Sequence, residues 1–239
     1  MRPASPSVIK SCFASLDKPS LRRLTPKAGE WHMTLMSELK SICVYCGANA
    51  GAAPEYASAA RSLGAAMAEH GIKLVYGGGS IGLMGILART VLEKGGEVTG
   101  IIPQFLKDRE VMLREVSELI VTADMHERKR IMFERSDAFV ALPGGIGTLE
   151  EVVEMMTWAQ LDQHKKPILI VNISGFWDSL TALFQRMTAD GFLHKAFLGN
   201  HVDLPVRFCD GVDEVIPMLR ESLERTPRPL LATSDAKLM

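Results

Sequence analysis

Cysteine is scarce. The 239 residues hold four, Cys12, Cys43, Cys46 and Cys209, too few and too scattered for a disulfide framework, so a reducing cytoplasmic setting is expected. Cys43 and Cys46 form one C-x-x-C, but no second Cys or His pair follows at zinc-like spacing, and residues three apart in a strand point to opposite faces. No metal is expected. An excess of charge is missing too: 27 Lys and Arg against 28 Asp and Glu leave a formal net charge of −1, which gives no electrostatic argument for nucleic acid or a membrane surface as partner. No apolar run approaches the ~18–20 residues that cross a bilayer. A Walker A loop is absent, since no glycine is followed by Lys-Ser or Lys-Thr. No lysine in the core stands out for holding pyridoxal phosphate, so no cofactor is expected.

Short apolar runs alternate with helical patterns through the middle of the chain. The runs are SICVYCG, IKLVYGGG, EVTGIIP, ELIVTA, AFVALPGG, PILIVNI and, more weakly, LPVRFC. Several are near-continuous Val, Ile and Leu, as in strands buried on both faces. Helical segments are expected at about 54–70, 83–94, 124–135, 148–161, 176–190 and 211–224. The alternation predicts an α/β fold, a doubly wound Rossmann-like parallel sheet in a three-layer α/β/α sandwich. An eight-unit barrel would need more strands than the sequence supplies. One nucleotide-binding catalytic domain is expected over 39–224, with a disordered basic extension at 1–38 and a flexible tail at 225–239.

In such sheets ligands collect beyond the carboxyl ends of the strands. Three of those ends carry glycine: YCGANAG, YGGGSIGLMG and LPGGIGTLEE. Glycine there either makes a tight turn or lets backbone N–H groups approach an anion at a helix N-terminus. Three such loops at one edge favour a phosphate site. Gly77, Gly79 and Gly82 match G-x-G-x-x-G, and Glu97 follows at about the spacing of a dinucleotide fingerprint. Yet Glu97 precedes its strand and would lie at the opposite edge of the sheet, so a nucleoside monophosphate or sugar phosphate fits better than NAD or ATP.

Thr148 to Glu151 is T-x-x-E, which reads as a capping box in which Glu151 bonds back to Thr148. A carboxylate there also stands where a sugar bound at the glycine loop would lie. Asp124 and Glu127 in DMHERKR form another cap pattern, followed by Arg128 and Lys129. If the two loops follow neighbouring strands, Arg128 and Glu151 face one another across the cleft.

YGGGSIGLMG, DMHERK and PGGIGTLEE together resemble the LOG ("lonely guy") family, cytokinin riboside 5′-monophosphate phosphoribohydrolases long mislabelled as lysine decarboxylases. The likeness covers roughly residues 40–223. It implies a homodimer that hydrolyses the N-glycosidic bond of N6-modified adenosine monophosphates, with AMP nucleosidase activity in some members. By position, the family's catalytic pair falls on Arg128 and Glu151. Its nucleotide-binding positions fall on Glu110, Arg128, Lys129, Gly145, Ile146, Gly147, Thr148, Leu149, Glu150, Glu151 and Thr157, and the phosphate loop on Gly78, Gly79 and Gly82. Two departures are Ala48, where the family usually has serine, and DREVML around Glu110. The rival readings are a protein that binds a nucleotide or a phosphorylated cofactor such as molybdenum cofactor without hydrolysing it, and an NAD-dependent oxidoreductase. The segment TLEEVVEMMTWAQL is apolar on more than one face, which suits core packing or a dimer interface.

Overall fold

The computed structural model describes residues 38–107, 112–193 and 205–225, all within one compact unit, Met36–Met239. The expectations for the N-terminal extension up to residue 37, for Glu110 and for the tail beyond Arg225 lie outside the described residues.

All seven expected runs are strands: β1 Ser41–Tyr45, β2 Lys73–Tyr76, β3 Val98–Pro103, β4 Glu118–Thr122, β5 Ala138–Ala141, β6 Ile168–Val171 and β7 Val206–Cys209. They form one sheet in the order β4-β3-β2-β1-β5-β6-β7, every pair parallel. Parallel strands need crossovers, and these are α1 Pro54–Glu69, α2 Gly82–Glu93, α3 Met125–Glu134, α4 Ile146–Gln160, α5 Asp178–Ala189 and α6 Val215–Arg225.

The two-residue period of each strand splits the core in two. Ile42, Val44, Leu74, Tyr76 and Val140 join α1, α2 and α6 on one face. Cys43, Tyr45, Val75, Phe139 and Ile170 join α3, α4 and α5 on the other. Cys43 and Cys46 fall in opposite clusters, as their spacing predicts. Among the described residues no group of His, Cys, Asp or Glu is arranged to hold a metal, and no helix is long and apolar enough to cross a membrane.

The chain runs outward from β1 to β4 and then restarts at β5 on the other side of β1. The carboxyl ends of β1 and β5 therefore mark the topological switch point, where the two connections diverge and leave a crevice. Glu97 lies at the opposite edge, paired with Lys73 at 2.7 Å, as its position before β3 requires.

One buried connection makes the fold sensitive to acid. His164, after α4, packs between Phe133 and Phe139. Its Nδ1 accepts from the Lys166 backbone N–H at 3.1 Å and its Nε2 donates to the Met155 carbonyl at 3.0 Å, a pattern that only the neutral ring satisfies. Burial pushes its pKa below the ordinary 6.5. The unfolded chain then takes up the proton first, so stability is full above pH 6.5 and declines as pH falls through the lowered folded value. Thermal melting should be lower at pH 5 than at pH 7, and His164→Gln should flatten that dependence.

Candidate active site

α3 follows the edge strand β4 and must carry the chain back to β5, past β3, β2 and β1. Asp124 caps its start by accepting from Glu127 N at 2.8 Å, while Glu127 Oε2 accepts from Ala123 N at 2.7 Å. With its first turn fixed, α3 directs Arg128 and Lys129 inward, 6% and 9% exposed. The Arg128 Nε donates to the Ile101 carbonyl at 3.1 Å and Nη2 to the Gly77 carbonyl at 3.4 Å. The same Nη2 lies 3.5 Å from Glu151 Oε1. The two side chains thus meet, but not for the reason expected from the sequence. β4 and β5 are separated by three strands, and it is the long crossover that brings Arg128 beneath the ends of β2 and β3.

The expected capping box is not formed. α4 starts at Ile146, its N-cap is Gly145, and no side chain caps it. The turn at Pro143–Gly145 is tighter than expected, so Thr148 is already in the first helical turn and Glu151 stands too far along to reach the cap. Thr148 instead packs on Gly144, where a Cβ would fall 2.2 Å from its hydroxyl. The first N–H groups of α4 remain directed at the crevice, a ready anion site.

Lys129 turns the other way. Its Nζ donates to Glu150 at 2.6 Å and Glu154 at 3.1 Å, clipping α3 to α4. Burial opposes its charge, but the bonds and charges of the two carboxylates outweigh that and raise its pKa above 10.5.

A cavity of about 380 Å³ lies at the switch point. Its walls are the Cys46–Gly51 loop after β1, Pro143–Gly145, Gly147 and Thr148 after β5, Leu83 and Met84 of α2, Tyr56 of α1, Phe176, and the pair Arg128 and Glu151. Arg128 and Glu151 are the charged residues among the described residues of that wall. A Cβ built on Gly145 or Gly147 would meet nothing within 4 Å, so bare backbone faces the cavity there.

Ile146, Leu149, Glu150, Lys129 and Thr157 stand outside the cavity wall. Ile146 is 82% exposed, and the Thr157 hydroxyl bonds back to Val153 O further along α4. In YGGGSIGLMG, Leu83 and Met84 reach the wall, whereas the glycines support the site from outside. The Gly77 carbonyl holds Arg128, the Gly78 carbonyl accepts from Leu113 N at 3.2 Å, and Gly79 bridges to Met112. Gly82 adopts φ +61 with the Ala48 backbone against it, where a Cβ would come within 2.3 Å, a position open to glycine alone. That close approach lets the Gly47 carbonyl accept from Leu83 N and Met84 N, so the start of α2 is occupied by protein and the start of α4 is the open one.

Tyr56, Leu83, Met84 and Phe176 were not foreseen as wall residues. Leu83 and Met84 directly follow Gly82 in YGGGSIGLMG, whereas Tyr56 and Phe176 come from elements distant in sequence, where the one local signal is the Ser-Gly turn before Phe176.

A family model described as "Possible lysine decarboxylase" matches residues 84–217. The cytokinin riboside 5′-monophosphate phosphoribohydrolase LOG1 of Arabidopsis thaliana is 47% identical over 161 residues, 67% of this chain and 76% of its own. The enzyme of the same name LOG7, also of Arabidopsis thaliana, is 46% identical over 157 residues, 66% of this chain and 72% of its own. Among solved structures, the molybdenum cofactor carrier protein of Chlamydomonas reinhardtii superposes with a TM-score of 0.58 at 24% identity, covering 78% of this chain and 99% of that one. The structure of TM1055 superposes with a TM-score of 0.58 at 22% identity, covering 77% and 99%. At those identities the likeness speaks for the fold alone. Relatives approaching half identity across two thirds of the chain, with the matching family model, place this protein in the LOG family of cytokinin riboside 5′-monophosphate phosphoribohydrolases.

Proposed function

We propose that this protein hydrolyses the bond between ribose C1′ and adenine N9 of adenosine 5′-monophosphates, N6-substituted ones included, releasing the free base and ribose 5-phosphate. The observation that carries the reading is the Arg128–Glu151 pair, 3.5 Å apart, in the wall of a cavity floored by the uncapped start of α4. The 5′-phosphate would sit on the N–H groups at Gly145–Thr148, where the helix dipole favours an anion. Cleavage builds positive charge on the ribose, which the Glu151 carboxylate stabilises while it orients the attacking water. Arg128 acts as a fixed positive charge toward the phosphate or the departing base. Lys129, through Glu150 and Glu154, holds α3 and α4 in register so that the two chemical groups stay in contact.

The decarboxylase description finds no support in the site. No lysine is among the described cavity wall residues. Burial lowers the pKa of Lys166, but its Nζ donates to the Phe133 carbonyl and lies over the Phe133 ring, away from the crevice. A homodimer in the cytoplasm completes the proposal. Ile146, Val153 and Thr157 lie within ~40° of one another on the outer side of α4, two of them exposed apolar residues, and sedimentation velocity reads whether a second copy covers them.

Purified protein incubated with AMP and with isopentenyladenosine monophosphate should release free base and ribose 5-phosphate. Tight nucleotide binding without base release would instead favour a carrier. Gly147→Ala tests the bare floor. Its methyl enters the cavity while the helix gains a better former, so KM should rise about 10-fold, with melting unchanged or higher by a few degrees.

A further inference from the structure

We infer that Phe176, backed by Tyr56, is the stop that limits the site to a single phosphate; this rests on the nucleotide reading above.

The two ends of the cavity differ in place and in chemistry. Arg128 and Glu151 come from α3 and α4, on one face of the sheet, with the guanidinium under β2 and β3. Tyr56 comes from α1 on the other face, and Phe176 follows β6. From β2 to β6 is three strand spacings, about 14 Å, with the start of α4 between them. A nucleotide with its phosphate on that helix start and its sugar at Glu151 directs its phosphate end toward the two rings. A second phosphate would extend into them.

Among the described residues that end offers no cation to a further anion. Tyr56 and Phe176 meet edge to face, 5.6 Å between centroids, and the loop after β1 adds Ala48, Asn49, Ala50 and Gly51 to the wall, with Asn49 its one polar side chain and no charge among them. Arg128 is the one cation among the described wall residues, and it is held at the far side by Ile101 and Gly77. An added phosphate would lose water against apolar groups and negative ring faces with no counter-charge, which discriminates by repulsion.

The stop is also fixed. Ser174 and Gly175 take φ of +52 and +72 in succession, a conformation that costs a non-glycine residue stability and persists where surroundings enforce it. The enforcement is the Asn172 side chain, which accepts from Trp177 N at 2.7 Å and donates to Asp178 at 2.8 Å. This clamp sets Phe176 at the mouth, 38% exposed. Gly51 backs the other ring, for a Cβ there would fall 2.7 Å from Tyr56 Cδ2.

The test compares kcat/KM for base release from AMP, ADP and ATP in the wild type, Phe176→Ala, Phe176→Leu and Phe176→Arg. The AMP-to-ADP ratio should fall about 10-fold in Phe176→Ala, the equivalent of one unpaired polar contact relieved. It should fall less in Phe176→Leu and most in Phe176→Arg, which supplies a cation. A ratio unchanged in all three variants overturns the inference. Calorimetric binding of AMP and ADP to the same proteins reads the same ratio without turnover. Wild-type protein that binds nucleotides but releases no base therefore sinks the hydrolase reading alone, while an unchanged binding ratio sinks the stop.

Discussion

Glu151→Gln is expected to lower kcat for base release from AMP by about 10²-fold or more, with the nucleotide still bound. Glutamine keeps the size of the side chain and its ability to accept a bond from Arg128, but carries no negative charge to oppose an oxocarbenium-like ribose. The alternative explanation of this residue, a helix cap, is removed by the position of α4. Its N-cap is Gly145 and no side chain caps it, so the substitution does not uncap a helix. Loss of the carboxylate does remove a charge 3.5 Å from a guanidinium that is 8% exposed, and a lowered melting temperature is expected alongside the kinetic defect. The two effects separate by titrating AMP into the folded variant. Retained affinity with lost turnover assigns Glu151 to the transition state, whereas wild-type kcat in a folded Glu151→Gln protein would show that the carboxylate has no chemical part.

Much of this arrangement was readable before any coordinates, and the parts that were not share a cause. Strands buried on both faces announce themselves as Val- and Ile-rich runs, so all seven are legible, five within a residue or two, while IKLVYGGG and AFVALPGG run three and four residues past the strand into their glycine loops. The glycine loops at the carboxyl ends followed from the same pattern. Strand order is different, because a parallel sheet sets it through crossovers of any length. Nothing local to ELIVTA says that β4 is an edge strand, and the meeting of Arg128 with Glu151 was therefore expected from a neighbour relation that does not exist. The division of labour among the three glycine loops was hidden for a related reason. YGGGSIGLMG looks the best phosphate cradle by composition, yet its carbonyls and helix start are engaged by Arg128, Leu113 and the β1 loop. Long-range backbone contacts decided that, and no residue type encodes them. Phe176 shows the limit most plainly, since only the succession Ser174–Gly175 hints that a turn aims the ring anywhere in particular.

Arg128→Ala should be the most damaging single change to stability and activity together. The guanidinium satisfies two carbonyls, Ile101 O and Gly77 O, at the ends of two different strands, and stands beside Glu151. Removing one partner of a largely buried ion pair costs about 3 kcal/mol or more, and two buried acceptors lose donors besides. For a domain of this size that is a fall in melting temperature on the order of 10 °C, with kcat/KM down by about 10³-fold. Arg128→Lys is the sharper probe. Lysine keeps the positive charge but offers one ammonium where the site needs a planar fork spanning two carbonyls and a carboxylate. If charge alone mattered, Arg128→Lys would restore most of the rate. The geometry instead predicts a loss of about 10²-fold in kcat/KM that persists at saturating AMP, and it predicts that free guanidinium added to Arg128→Ala recovers part of the activity where added ammonium does not. Equal rescue by the two cations would reduce Arg128 to a point charge.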